Sequence, residues 1–209
     1  TYFEHRGGTI EVQGGTLQFE DGRTDFYEGT YRLANEAVFD FQSKLDVYTD
    51  VTFEGQGTIA PTEFYARESL TLTFGPNVIF DANRGGDLLS AATGKTMTLV
   101  GEVPWKRGDL NDQIDLANGS QITVLDGGGK NLYGTFTNHG VIAHNAADTF
   151  RLYGTLDNAA DGRIELNGGG HIDGSSSLTN LMINRGTLVK TGDNTFTMPG
   201  TYFENRGGT

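Results

Sequence analysis

At 209 residues the chain is long enough to bury one core, and 31 Gly with only 4 Pro suit many short strands between turns better than helices. A formal charge of −12 argues against binding a nucleic-acid backbone, which is driven by Lys and Arg, and no apolar run approaches the ~20 residues of a membrane-spanning helix. Thirteen Phe and 8 Tyr are too many for a disordered composition, and without Cys no disulfide contributes to stability.

The chain opens on TYFEHRGGT (Thr1–Thr9), and TYFENRGGT returns at Thr201–Thr209, differing only at His5 versus Asn205. Such a match at 200 residues' separation predicts a tandem array, of which this chain is one period plus a short overlap, an internal slice of something longer. From Gly7, Ile10 and Val12, then Leu17 and Phe19, alternate with polar neighbours as in half-buried strands. Gly-Thr before an apolar residue recurs at Gly8, Gly15, Gly29 and Gly57, spaced by 7, 14 and 28, multiples of one strand-plus-turn unit. The same texture runs through Val38–Phe41, Leu45–Tyr48, Val51–Glu54, Leu70–Phe74, Val78–Phe80, Met97–Val100 and Ile122–Leu125, which predicts an all-β fold. Two stretches break the rhythm. Pro61–Ser69 reads as a short helix or loop. Gly101–Gln113 holds the only Trp and reads as a protruding display loop carrying Trp105, Lys106, Arg107 and Asp109.

The second half shows a shorter period. LYGTFTN at Leu132–Asn138 returns as LYGTLDN at Leu152–Asn158, 20 residues on, with an echo at Leu178–Asn180; Asn184–Gly186 recurs at Asn205–Gly207 after 21. A period of 20–22 fits one coil of a parallel β-solenoid, three short strands and three turns. Asn at a coil corner tolerates a left-handed backbone, and its amides can stack as a hydrogen-bonded ladder. The competing architecture, a β-sandwich of similar hairpins, has no reason to keep such a period.

Gly186–Met198 (GTLVKTGDNTFTM), followed by GTYFENRGGT and, across the period boundary, IEVQGGTLQF, resembles the autotransporter-associated β-strand repeat. Lys190, Gly192, Thr195, Gly200, Gly207, Gly208 and Thr209 match its pattern, as do Gly14, Gly15, Thr16 and Leu17 of the next copy; the Tyr-Phe-Glu-Asn-Arg segment is more aromatic and charged than usual. The match covers roughly 35 residues, and the rest is loosely similar to haemagglutinin-type solenoids. The resemblance implies a right-handed parallel β-helix in a long, exported protein of the bacterial cell surface, with no catalytic residues.

Asp109, Asp112 and Asp115 crowd the Trp105 stretch, yet not at one-coil spacing on strands, so a solvated acidic loop is favoured over a glycosidase-type acid pair. His5, His139, His144 and His171 show no metal spacing, and His139 and His144 are expected at exposed turns. DGGGK at Asp126–Lys130 lacks the Asp of a calcium-binding nonapeptide; no cofactor is expected beyond weak Ca²⁺ binding at loops. Arg107-Gly108-Asp109 spells an integrin-type tripeptide, a match common by chance. Phe39, Phe41, Phe53, Phe74 and Phe80 are expected to stack inside, whereas Tyr31, Tyr48, Tyr65 and Trp105 are candidates for a sugar-binding face.

The function expected is structural, a single solenoid segment spanning residues 1–209 in an extracellular fibre or adhesin stalk. Its partners would be adjacent copies, head to tail, with surface glycans or neighbouring fibres as further candidates, and neither nucleic acid nor membrane. The alternative is a polysaccharide-binding or -degrading β-helix, like a phage tail spike. The junction is assigned to Tyr2, Phe3, Arg6, Gly7 and Gly8 and to Tyr202, Phe203, Arg206, Gly207 and Gly208. With ~21 residues per coil and ~4.8 Å between strands, a period makes nine or ten coils and about 45 Å of rod. The two nine-residue copies should then share one conformation, related by translation along the axis with some twist.

Overall fold

A computed structural model describes residues 2–20, 22–81, 87–174 and 180–209. Among them there is no helix; 23 strands, β1 (Tyr2–Val12) to β23 (Tyr202–Asn205), pair in parallel as one continuous sheet wound into a β-solenoid of about nine turns. The registers resolve the sheet into three faces. Face 1 begins with Thr9–Val12 and runs through Gly29–Leu33, Val51–Gly55 and Leu70–Phe74 to Leu181–Asn184 and Tyr202–Asn205. Face 2 begins with Thr16–Phe19 and ends at Thr187–Lys190. Face 3 begins with Tyr2–His5 and closes with Thr197, bridged to His171.

Alternation decides what each strand buries, because successive side chains point to opposite sides. In β7 (Leu70–Phe74), Leu70, Leu72 and Phe74 point inward while Thr71 and Thr73 stay partly exposed. The first turns are filled by rings: Phe26, Tyr31, Phe39, Phe41, Phe53, Phe64, Phe74 and Phe80 are all buried. They contact one another turn after turn, Phe53 with Tyr31, Phe64 and Phe74 at centroid distances of 5.4–5.7 Å. The later turns are filled mainly by Leu110, Leu132, Leu152, Leu156, Ile164 and Ile172, with Phe136 and Phe150 among them. Between Trp105 and Phe150 the interior leaves only ≈ 10 Å³, about one water, with wholly apolar walls.

The sharp corner from face 1 to face 2 is built differently along the axis. In the later turns Asn138, Asn158, Asn184 and Asn205 stack at it. Asn138 Nδ2 donates to Asn158 Oδ1 (2.7 Å) and Asn158 Nδ2 to Asn184 Oδ1 (2.8 Å); the same amides also donate to the carbonyls of Arg163 and Thr187 at 3.1 Å. Upstream the same column is Val51, Leu72, Leu99 and Leu116. There the chain turns at glycine: Gly55 (φ +105°) and Gly101 (φ +97°) lie so close to the turn below that a Cβ would stand 1.9 Å from a carbonyl oxygen, that of Leu33 or Phe74.

Both stretches read as interruptions are regular turns. Thr58–Ala66 is a single strand, β6; Pro61 is buried against the face-2 rung of Phe41, and Thr62 Oγ1 donates to the Phe41 carbonyl (2.9 Å). The display loop is likewise corrected. Thr96–Trp105 is strand β10, Gly108–Leu110 is β11 and Gln113–Leu116 is β12. Trp105 is 3 % exposed, edge-on to Phe150 at 5.2 Å, with Nε1 donating to the Gly108 carbonyl (3.1 Å). Val103 and Trp105 are two residues apart and both point inward, an alternation that Pro104 and the following Lys-Arg conceal. Lys106 and Arg107 lie over the wall, ion-paired to Asp81 (3.0 and 3.6 Å). Asp109 sits on a strand, where its carboxylate accepts from Asn131 Nδ2 (2.5 Å). A large apolar ring cannot be left in solvent when a neighbouring turn offers it a dry seat.

Candidate functional site

The ends of the solenoid are its least satisfied regions. Each turn's inward side chains are covered by the turns above and below, so the first and last turns lack one cover. At the first turn Phe3, Ile10 and Phe19 are only partly buried and Leu17 is 37 % exposed; at the last, Leu188 and Met198 are partly buried and Phe203 is 41 % exposed. Their partners one turn in, such as Phe39 opposite Leu17 and Met182 opposite Phe203, are buried completely.

The outer surface of the first turns is a lattice of Arg, Asp and Tyr. Arg6 lies over the Tyr27 ring (4.3 Å), which stacks on Tyr48 (4.6 Å, 7° between planes). Arg23 donates to Asp25 (2.8 Å) and to the Tyr48 hydroxyl (2.7 Å), and Arg67 grips Asp46 with two bonds of 2.8 and 2.9 Å. The Tyr2 hydroxyl donates to Asp25 (2.9 Å), which holds its pKa up at about 12. His5 Nδ1 is paired with the Tyr31 hydroxyl at 2.5 Å, and burial lowers the His5 pKa.

The two junction copies share a local design. Tyr2–His5 and Tyr202–Asn205 are strands, and each Arg-Gly-Gly turns a corner, with Gly7 at φ +103° and Gly207 at φ +95°. They part at the next residue, Gly8 being at φ +88° and Gly208 outside the left-handed region. They also lie on different faces. Phe3 pairs with Thr24 on face 3, whereas Phe203 pairs with Met182 on face 1. The expected single conformation, related by translation along the axis with some twist, is therefore corrected: the copies sit at opposite ends, differ in backbone at Gly8 and Gly208, and are stepped by one face around the axis. Thr1 lies outside the described residues, as do Leu178 and Thr179 of the Leu178–Asn180 echo.

Face 3 also carries an open groove of ≈ 630 Å³ lined by Lys44, Glu63, Tyr65, Ser90, Asp109, Asn111, Asp112 and Tyr133. Tyr133 is half-exposed and stacked on Tyr153 (4.8 Å, 6°), while Tyr65 is covered by Lys44 and Arg67, 3.3 and 4.6 Å from its centroid. The acids are engaged within the fold: Glu63 accepts from Ser90 Oγ (2.5 Å), and Asp112, at φ +64°, accepts from the Ala91 N–H (3.2 Å). Asp115 lies apart on face 1. No group of three His, Cys, Asp or Glu among the described residues is arranged to hold a metal ion. Of the tyrosines and tryptophan expected on a sugar-binding face, Tyr31 and Trp105 are buried, Tyr48 and Tyr65 lie partly exposed, and Tyr133 was missed. The repeated LYGT of Leu132–Thr135 and Leu152–Thr155 was the available signal for its stack.

His139 pairs with Asp161 (2.8 Å) at the surface, as expected of a turn residue. His144 does not: it points inward from β16 (Val141–His144), 1 % exposed and edge-on to Phe196 at 5.0 Å, with neither ring nitrogen hydrogen-bonded. Burial depresses its pKa to about 4. Lys130, another inward polar residue, donates to the Gly128 carbonyl (3.0 Å) and lies 3.5 Å from Asp148; desolvation lowers its pKa.

Comparison with family models, with curated proteins and with solved structures found no match. The fold itself, an all-β parallel sheet of about nine turns, places the chain in the class of parallel β-solenoids.

Proposed function

We propose that this chain is a structural repeat of a long extracellular bacterial fibre or adhesin stalk, in which copies stack head to tail through a continuous parallel sheet. The observation that carries this reading is that both copies of the repeated motif are paired into the parallel sheet, Tyr2–His5 with Arg23–Phe26 and Tyr202–Asn205 with Leu181–Asn184, so that the motif is itself part of the stack that holds the inward side chains of Leu17 and Phe203. A second copy on either end would bury these side chains and pair the open strand edges, removing two sources of instability together. The motif shared by Thr1–Thr9 and Thr201–Thr209 supports the same partner, since one sequence then serves as the end of one copy and the start of the next. The placement outside the cell rests on the resemblance of Gly186–Met198 and the residues that follow it to the autotransporter-associated repeat. No catalytic step is assigned to any residue.

Immunogold labelling of intact producing cells with an antibody raised against residues 1–209 tests the location and the form. Labels strung along surface projections are the expected result; labelling only after the cells are permeabilised would overturn the extracellular assignment.

A second reading, glycan binding, is favoured by the face-3 groove. The half-exposed Tyr133 ring offers a stacking surface for a pyranose, and the surrounding carboxylates and amides suit hydroxyl groups. Titration with neutral oligosaccharides such as cellohexaose, maltohexaose and chitohexaose tests it. Saturable binding that Tyr133→Ala abolishes supports this reading, and the absence of binding to all three removes it. Release of sugar that stops in Asp112→Ala would convert the site into an enzyme's.

A further inference from the structure

The junction geometry reaches beyond end-on stacking, on which this inference rests. We infer that each copy seats on the preceding one rotated by one face, about a third of a turn, so that equivalent surfaces wind around the rod. The registers carry this. Face 3 starts at Tyr2–His5 and is followed by rungs at Arg23–Glu28, Lys44–Val47, Glu63–Ala66, Asp87–Ala91, Gly108–Leu110, Lys130–Leu132, Thr149–Leu152, His171–Gly174 and Thr197. Nine turns therefore separate the Tyr2 rung from the Thr197 rung. The chain then leaves face 3, and Tyr202–Asn205 pairs with Leu181–Asn184 on face 1. The sequence repeat of 200 residues thus spans nine turns and one further face, about 21 residues per turn.

The step is set by how the next copy must begin. With Tyr202–Asn205 on face 1 and Arg206-Gly207-Gly208 at the corner, Thr209 already lies on face 2, its N–H donating to the Gly186 carbonyl (2.9 Å) and its carbonyl accepting from Leu188 N (2.7 Å). In the first copy the corresponding Thr9 lies on face 1, opposite Thr30. Strand and corner have thus advanced together by one face, which is what a rigid rotation of the whole copy requires.

A surface feature such as the Tyr133–Tyr153 stack, on face 3 of one copy, would then continue on face 1 of the next and on face 2 of the third. Each side of the rod then carries it once in every three copies. The partner that this junction fits is a second copy in one rotational setting.

Cross-linking reads the setting directly, and the sequence holds no Cys to interfere. In a chain of two tandem copies, Leu181→Cys with Tyr202→Cys places thiols on paired outward positions of face 1, within reach of a disulfide at the inter-strand spacing of about 4.8 Å. Asp173→Cys with Tyr202→Cys instead reports an unrotated copy, whose Tyr202 would lie on face 3 beside Asp173. The expected result is near-complete oxidation of the first pair and none of the second, scored by mass spectrometry under non-reducing conditions. Cross-linking of the second pair, or of neither, would overturn the one-face step. The small-angle scattering length of the same two-copy chain separates this from the stacking itself. A rigid particle twice as long with the second pair linked leaves the rod and removes only the rotation, while two loosely jointed bodies remove both.

Discussion

The first turns and the last turns of this solenoid solve the same geometric problem with different chemistry. Upstream, strands run through corners: β1 and β3 (Arg23–Leu33) have 11 residues, β4 (Val38–Val47) and β10 have 10, and the interior is filled by stacked rings. From Gln113 onward no described strand exceeds four residues, corners are sharp, and Asn side chains meet the backbone groups left over. A strand that bends keeps its ladder bonds through the corner, and close-packed rings fill the interior behind it. A sharp corner leaves carbonyls that a buried amide must satisfy. Both halves bury an apolar interior; the later one adds a polar ladder at its corner.

Mutations should separate the two. Phe53→Ala removes a fully buried ring that touches Tyr31, Phe64 and Phe74, and should cost about 3–5 kcal/mol in denaturant titration. A loss below about 1 kcal/mol would mean that the ring stack collapses around the gap and is not the source of stability.

Acid should act on the later half through His144. Its folded pKa of about 4 lies below the unfolded value of 6.5, so the unfolded chain binds more protons between those limits. Stability is full above pH 6.5 and declines as pH falls towards 4, by up to about 3 kcal/mol. His144→Leu should flatten much of that slope in urea melts taken from pH 7 to 4; an unchanged slope would assign it elsewhere.

Asn158→Ala interrupts the ladder between Asn138 and Asn184 and should cost about 2 kcal/mol, because it removes the donor to Asn184 Oδ1 and to the Thr187 carbonyl and one of the two acceptors of Asn138 Nδ2. Asn158→Leu, which copies Leu99 and Leu116 upstream, should not restore it, since the Thr187 carbonyl still lacks its donor. Full restoration would reduce the ladder to a matter of shape. The smallest effect belongs to Tyr133→Ala on the outer wall, within about 0.5 kcal/mol. A larger loss in thermal melts would make the Tyr133–Tyr153 stack part of the scaffold.

Much of this was legible in the sequence, and the misses have physical causes. The Phe positions and the 20-residue return of LYGT-x-x-Asn betrayed interior and corner, because inward residues repeat at every turn. Pro61 and Trp105 misled because proline is rare inside sheets. Here Pro61 and Pro104 both lie within strands whose remaining groups still pair, Pro61 opposite Phe41 and Pro104 opposite Thr123. His144 follows Ile142 at strand spacing and was inward by pattern; its polarity argued the other way and lost. The face on which the second junction copy falls depends on turns whose lengths vary: Thr71 pairs with Thr98, 27 residues on, and Thr98 with Asp115, 17 on. No local motif encodes that sum.

The central claim is that copies continue one another as a single stack, and its most direct measurement is small-angle X-ray scattering on chains of one, two and three tandem copies. A continuous solenoid of nine and a third turns per copy lengthens the particle by about 45 Å with each copy at constant cross-section. An increment well short of that, or a cross-section that swells with copy number, would show separate bodies on a linker and contradict the stack.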